Sequence, residues 1–211
     1  MKVSLSWLKD YIAINMDAAD LADALTMVGL EVESVADRYD YLGSVVVGRI
    51  EDVGPHPNAD KLKICRINTG DQISSVVCGA PNVQPGMLAP LAKPGTASPD
   101  GSQLKKSVIR GVSSEGMLCS DAELGLGIDR SGIKALDLSL KVGDRLADAL
   151  GLYDIVFEFD LTPNRPDCLS VIGVAREIAA KRKRKLRWPK IELVESGQPA
   201  AAVSSVEILD P

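Results

Sequence analysis

Aromatic side chains are scarce in this 211-residue chain, with 2 Trp, 2 Phe and 4 Tyr making up 4%. Proteins that coat single strands without sequence preference stack successive bases on aromatic rings, so this scarcity excludes a generic single-strand coat. Histidine occurs once, at His56, and the cysteines Cys65, Cys78, Cys119 and Cys168 form no C-x-x-C pair, which argues against a zinc cluster. No run approaches the roughly 18 apolar residues a membrane span needs, and Met1 to Asp10 lacks the apolar centre of a secretory signal. There is no G-x-x-x-x-G-K-S/T loop to cradle phosphates, and a net charge of -5 excludes a globally basic polyanion binder. Any polyanionic partner must therefore meet a local patch. These features predict a cytoplasmic protein with reduced thiols, no metal site and no membrane association.

What is present is ordinary for a globular protein: 45% hydrophobic and 25% charged residues, enough to bury a core without disulfides. Charge is distributed unevenly. Residues 1–40 hold 3 basic and 8 acidic side chains, whereas residues 41–151 hold 12 of each and residues 152–211 hold 9 of each. Within the last segment, Lys181-Arg182-Lys183-Arg184-Lys185 with Arg187 and Lys190 places seven positive charges in ten residues.

The first segment reads as a helix followed by a strand. Asp17 precedes Leu21, Leu25 and Val28 at helical spacing, Met16 and Leu21 can staple the first turn, and Gly29 can close the helix. Leu30 to Val35 alternates apolar and charged, predicting a half-buried strand. Between about Tyr41 and Gly151 the pattern becomes short β-branched runs separated by Gly and Pro: 44–53, 62–69, 73–78, 87–92 and 104–110. Five such runs predict a small Greek-key barrel of the oligonucleotide/oligosaccharide-binding (OB) type. Alternation breaks at Cys65, where a bulge and burial on both faces are both open readings. Then Ile155 to Asp160 reads as a strand, Thr162 to Asp167 as a turn fixed by two prolines, and Asp167 as the cap of a helix with Val171, Val174, Ala175 and Ile178 on one face. Residues 191–211 read as a linker into a further domain.

Three separated motifs carry the chemistry. They are His56-Pro57-Asn58-Ala59-Asp60-Lys61-Leu62, Cys78-Gly79-Ala80-Pro81-Asn82, and Arg110-Gly111-Val112-Ser113-Ser114-Glu115-Gly116-Met117-Leu118-Cys119-Ser120. Each alone is a turn; together, on a five-strand barrel, they resemble the tRNA-binding OB domain of several synthetases. The flanks extend the likeness. Ser6-Trp7-Leu8-Lys9-Asp10-Tyr11, Val28-Gly29-Leu30-Glu31-Val32-Glu33 and Phe157 through Ser170, with Asn164-Arg165-Pro166-Asp167, resemble the bacterial phenylalanyl-tRNA synthetase beta-subunit family over about residues 1–190. The resemblance implies an α+β fold in which the barrel, residues 41–151, is inserted into a discontinuous α+β domain made of residues 1–40 and 152–190. It also implies a class II aminoacyl-tRNA ligase, an α2β2 heterotetramer with an alpha subunit, that uses ATP and Mg²⁺ to charge tRNA-Phe. Catalytic residues and cofactors of that enzyme would lie outside this chain.

Candidate RNA contacts are Lys61, Lys63 and Arg66 on the second predicted strand, and Lys105, Lys106 and Arg110 on a later one. The basic run, led by Lys181, Arg182, Lys183 and Arg184, has two readings: cations at a helix C-terminus, or a phosphate-facing patch. A His56–Cys65 dyad has no third group to orient it, and the cysteines read as small core hydrophobes. Two competing functions are a free-standing tRNA-binding or chaperone-like OB protein, and an unrelated enzyme on the same scaffold. The first needs little beyond the barrel; the second has no catalytic constellation.

Overall fold

The computed structural model describes residues 1–99, 101–194 and 196–209, so Glu195, Asp210 and Pro211 of the expected linker lie outside the described residues. Strand β1 (Lys2–Ser4) leads straight into helix α1 (Leu5–Tyr11), because the Ser4 hydroxyl accepts the Trp7 amide and caps the first turn. Asp17 caps α2 (Ala18–Thr26) in the same way, accepting from the Asp20 amide. Gly29 follows at φ +88°, a left-handed conformation that would strain a residue with a Cβ. Strand β2 (Glu31–Asp37) is more exposed than its alternation predicts. Only Val32 is partly covered and Val35 is 41% exposed, because β2 lies at the edge of its sheet.

The central part supplies β3 (Val45–His56), β4 (Ala59–Asn68), β5 (Ile73–Cys78), β6 (Leu88–Ala92), β7 (Ser107–Ile109), β8 (Val112–Ser114) and β9 (Met117–Leu118). Five of these form one antiparallel sheet in the order β5-β4-β3-β6-β9. The fifth strand differs from the expectation. Residues 107–109 pair with β8 in a separate hairpin, and Met117–Leu118, too short to show a period, takes the edge beside β6. The irregularity near Cys65 lies on β3. Ile50 pairs with Ile67 and Asp52 with Arg66, leaving Glu51 as the extra residue. Strand β4 therefore keeps strict alternation, with Cys65 and Ile67 fully buried and Ile64 half-buried on the opposite face.

The two edges of the sheet meet through residues 114–116. The Glu115 amide donates to Ser75 O at 2.9 Å, and the Val77 amide donates to Ser114 Oγ at 3.1 Å. Ser114 Oγ in turn donates to Gly116 O at 2.9 Å. At Gly116 a Cβ would stand 2.7 Å from Ala92 O, so the crossing tolerates only glycine without movement.

After helix α3 (Leu146–Ala149) the chain returns as β10 (Ile155–Asp160), which pairs antiparallel with both β1 and β2. The resulting three-stranded sheet, β1-β10-β2, joins segments some 150 residues apart. Helix α4 (Val171–Arg182) starts at Ser170, whose hydroxyl accepts the Gly173 amide. Asp167, expected as the cap, lies instead in the 3₁₀ turn Pro166–Cys168, since the proline-fixed turn takes three further residues before the helix begins. One core unites Val3, Leu8, Leu21, Leu25, Phe157, Phe159, Val174 and Ile178. Two others, around Ile50, Cys65 and Leu91 and around Leu42, Leu88 and Leu146, take their buried residues from 42–147, with Tyr39 and Leu152 packed at the margin of the second. Beyond Leu186 the described residues are exposed, with one short helix, α5 (Ala200–Val203). No helix among the described residues is long and apolar enough to cross a membrane.

Candidate nucleic-acid interface

The His56 motif and the Arg110 motif are brought together as two facing turns. His56 Nδ1 accepts the Asn58 amide at 3.1 Å, which leaves the proton on Nε2, and Nε2 donates to Ile109 O at 3.1 Å. Asn58 Nδ2 donates to Arg110 O at 2.9 Å, holding Arg110 at φ +49°. Both ring nitrogens of His56 are thus occupied by backbone, which leaves neither for Cys65. The third motif closes a different turn: Asn82 Nδ2 donates to Ile133 O at 2.8 Å while Asn82 Oδ1 accepts the Ile133 amide at 3.0 Å.

The basic candidates divide between faces. On β4, alternation puts Arg66 and Ile64 on the outer face and Lys63 with Cys65 and Ile67 on the inner one. Lys63 Nζ lies 3.5 Å from Val83 O and is half-buried, whereas Lys61 and Arg66 are exposed. Lys106 is engaged with Glu115 at 3.1 Å, a contact that holds the Glu115 carboxyl below its usual range. Lys105 and Arg110 are exposed. The structure therefore does not gather all six into one patch, and Lys63 and Lys106 have protein partners.

In the turn between β10 and α4, Arg165 is the hub of the Asn164-Arg165-Pro166-Asp167 motif. Its Nε and Nη2 donate to both Asp167 oxygens at 3.1 and 3.0 Å, and Nη2 reaches Glu177 at 2.8 Å. The guanidinium holds the Asp167 carboxyl down to about 2. Asp167, Cys168 and Glu177 are close enough to suggest a cation site, but a fixed cation already lies among them, so these residues do not fit Mg²⁺.

The basic run separates into two parts. Lys181 and Arg182 end α4, and Lys183 terminates it at φ +52°. The chain then runs back along α1, where the Arg187 amide donates to Tyr11 O and Arg187 Nη2 donates to Lys9 O, both at 2.6 Å. Arg187 thus caps the C-terminal carbonyls of a helix far from it in sequence, a role that spacing alone gave no sign of. Lys181, Arg182, Lys183, Arg184 and Lys185 are all exposed and make no ion pair among the described residues.

A cleft of about 390 Å³ opens where β5 and β9 approach the 120–133 loop. Cys78, Pro81 and Met117 line it beside Ser120, Glu123 and Arg130. The pair Ser120 and Glu123 forms a capping box: Glu123 Oε2 accepts the Ser120 amide at 2.7 Å, and the Glu123 amide donates to Ser120 Oγ at 3.3 Å. The S-x-x-E spacing was legible in the sequence, but nothing there tied it to Arg130 or to β5. All four cysteines are free and buried. The Cys65 thiol is pushed up by its hydrogen bond to Cys78 and by burial, and burial pushes Cys119 to about 12, as befits core thiols.

Residues 45–145 match the family model described as "Putative tRNA binding domain". Over all 211 residues the chain is 50% identical to the phenylalanine–tRNA ligase beta subunit of Syntrophus aciditrophicus, covering 26% of that protein. It is 47% identical over 211 residues to the one from Geobacter sulfurreducens, again covering 26%. The chain therefore spans about a quarter of the length of the curated relatives it matches. Among solved structures, a MetRS-related protein from Pyrococcus horikoshii aligns with 20% identity over 48% of this chain and 87% of that one, at a TM-score of 0.37.

Proposed function

Because the chain is homologous over its whole length to the N-terminal quarter of bacterial phenylalanine–tRNA ligase beta subunits, we propose that it handles tRNA within such an enzyme. The observation that carries this reading is that the identity extends over both flanks and not only over the tRNA-binding match at 45–145. A free-standing OB protein would need no such flanks. In this proposal the central sheet is a Greek-key OB barrel, residues 41–151, inserted into one α+β domain made of residues 1–40 and 152–190, with 191–211 as a linker. The pairing of β10 with β1 and β2, and the separate cores, support it.

The full enzyme would be an α2β2 heterotetramer in the cytoplasm, charging tRNA-Phe with phenylalanine. By that homology ATP and Mg²⁺ would be held by the alpha subunit, and the carboxylate cluster found here is already occupied by Arg165. This chain's part would be electrostatic. Lys181 to Lys185 form its strongest free cationic patch, with Lys61 and Arg66 as secondary contacts and Lys63 and Lys106 left to the protein's own structure.

The test is titration of labelled tRNA with the chain across a salt series. Each neutralised phosphate contributes about -0.7 to -0.9 to the log-log slope. Replacing Lys181, Arg182, Lys183 and Arg184 with Ala should flatten the slope. Absence of binding at low salt would overturn the tRNA reading, and an unchanged slope would remove the patch from it. Separately, ATP-pyrophosphate exchange with phenylalanine should require added alpha subunit.

A further inference from the structure

We propose that the cleft between β5 and the 120–133 loop receives one unpaired nucleotide of a bound RNA and favours a base carrying an exocyclic amino group. This rests on the tRNA reading above and names what that reading lacks, a place where a base is read.

The cleft's volume of about 390 Å³ falls within the range of roughly 300–1,000 Å³ typical of small-ligand sites. Its walls differ in chemistry. Met117, Pro81 and Ala80 offer apolar surface for the flat face of a base. Arg130 is exposed and its side chain makes no ion pair or hydrogen bond among the described residues, so its guanidinium is available for a phosphate or for stacking. Glu123 lines the same cleft as a carboxylate and accepts the Ser120 amide and hydroxyl on Oε2, at 2.7 Å each. Its Oε1 remains as an acceptor.

These charges set a polarity. A phosphate near Glu123 would be repelled, so the anionic backbone belongs at Arg130 and the base edge at Glu123. A carboxylate accepts from an exocyclic amine, as it does from cytosine N4, and offers nothing to the carbonyl that uracil has in that place. A cleft of about 390 Å³ has room for one splayed base, and RNA-binding modules read sequence from bases splayed out of loops and ends. The anchors of the cleft are rigid: Asn82 fixes Ile133, and the Ser120–Glu123 capping box fixes the opposite wall.

The experiment is fluorescence anisotropy with the 211-residue chain, using labelled tRNA, oligo(C), oligo(U) and a blunt RNA duplex at one salt concentration. Oligo(C) is expected to bind about fivefold more tightly than oligo(U). Arg130→Ala should weaken both oligonucleotides severalfold while leaving the duplex within twofold, and Glu123→Gln should abolish the preference for C. Equal affinity for C and U, or an equal loss on all RNAs in Arg130→Ala, overturns the proposal while tRNA binding itself stands. If tRNA does not bind at all, the underlying reading fails and the cleft falls with it. The Arg130 side chain makes no ion pair or hydrogen bond among the described residues, so its variant keeps the test decisive even if Glu123→Gln perturbs the capping box.

Discussion

Replacing Ser114 with Ala removes a buried side chain that helps tie the two edges of the five-stranded sheet together. Ser114 is 2% exposed, its Oγ accepts the Val77 amide at 3.1 Å, and the same hydroxyl donates to Gly116 O at 2.9 Å. Without the hydroxyl the Val77 amide is buried with no acceptor, at a cost of about 1–3 kcal/mol, and the bond to Gly116 O adds about 1 kcal/mol. The expected loss is about 2–4 kcal/mol. With a urea m-value of about 1–3 kcal/mol/M, the midpoint of the transition that reports the sheet should fall by about 0.7 M or more. Ser113→Ala is the matched control. It lies one position away on the exposed face of the same strand and should change stability by no more than about 0.5 kcal/mol. If the two variants unfold alike, the closure of the sheet through Ser114 is not a stabilising contact and the reasoning is wrong.

Other perturbations reach the flanking sheet. The Asp167 carboxyl, held to about 2 by Arg165, has a folded pKa below its ordinary unfolded value of about 3.9, so its contribution is complete above roughly pH 4 and fades as pH falls toward 2. Carboxyl-carbon NMR should show the Asp167 midpoint near 2 and a return toward 3.9 in Arg165→Gln; an unmoved midpoint rejects the ion-pair account. Arg187→Ala should free residues 184–190 from α1, seen as faster exchange of the backbone amide at position 187 with α4 unchanged, because both backbone and side-chain bonds to Tyr11 and Lys9 are centred there. Replacing residues 41–151 with a short Gly/Ser linker should leave a cooperatively unfolding α+β unit, because Phe157 and Phe159 pack with Leu8, Leu21 and Leu25 from the other end of the chain. Loss of cooperativity would contradict the inserted-domain proposal.

Much of this was legible because local chemistry and tertiary structure agree. Asp17 and Gly29 bound α2 as a cap and a left-handed stop should, and the runs at 44–53, 62–69, 73–78 and 87–92 each became a strand within a few residues of the expected ends. What was missed required contacts that no period encodes. Strand β9 is two residues long and is defined only by its pairing with β6, while the more strand-like run at 104–110 folds onto its neighbour β8 as a hairpin. Ser170 took the place of Asp167 as helix cap because the proline-fixed turn runs on through Cys168 before the helix begins. For the interface, charge content marked the basic run but not its division, in which Arg187 serves α1 and Lys181 to Lys185 stay free. On β4, alternation could have separated Lys63 from Arg66, since residues three apart on a strand face opposite sides.

The measurement closest to the central claim is a hydrogen-exchange footprint of tRNA on the full 211-residue chain. The account predicts protection of peptides spanning 181–185, 61–66 and 117–133, with the exposed sheet edge at 31–37 unaffected. Binding that protects none of these three segments, or that protects the β2 edge alone, would contradict it.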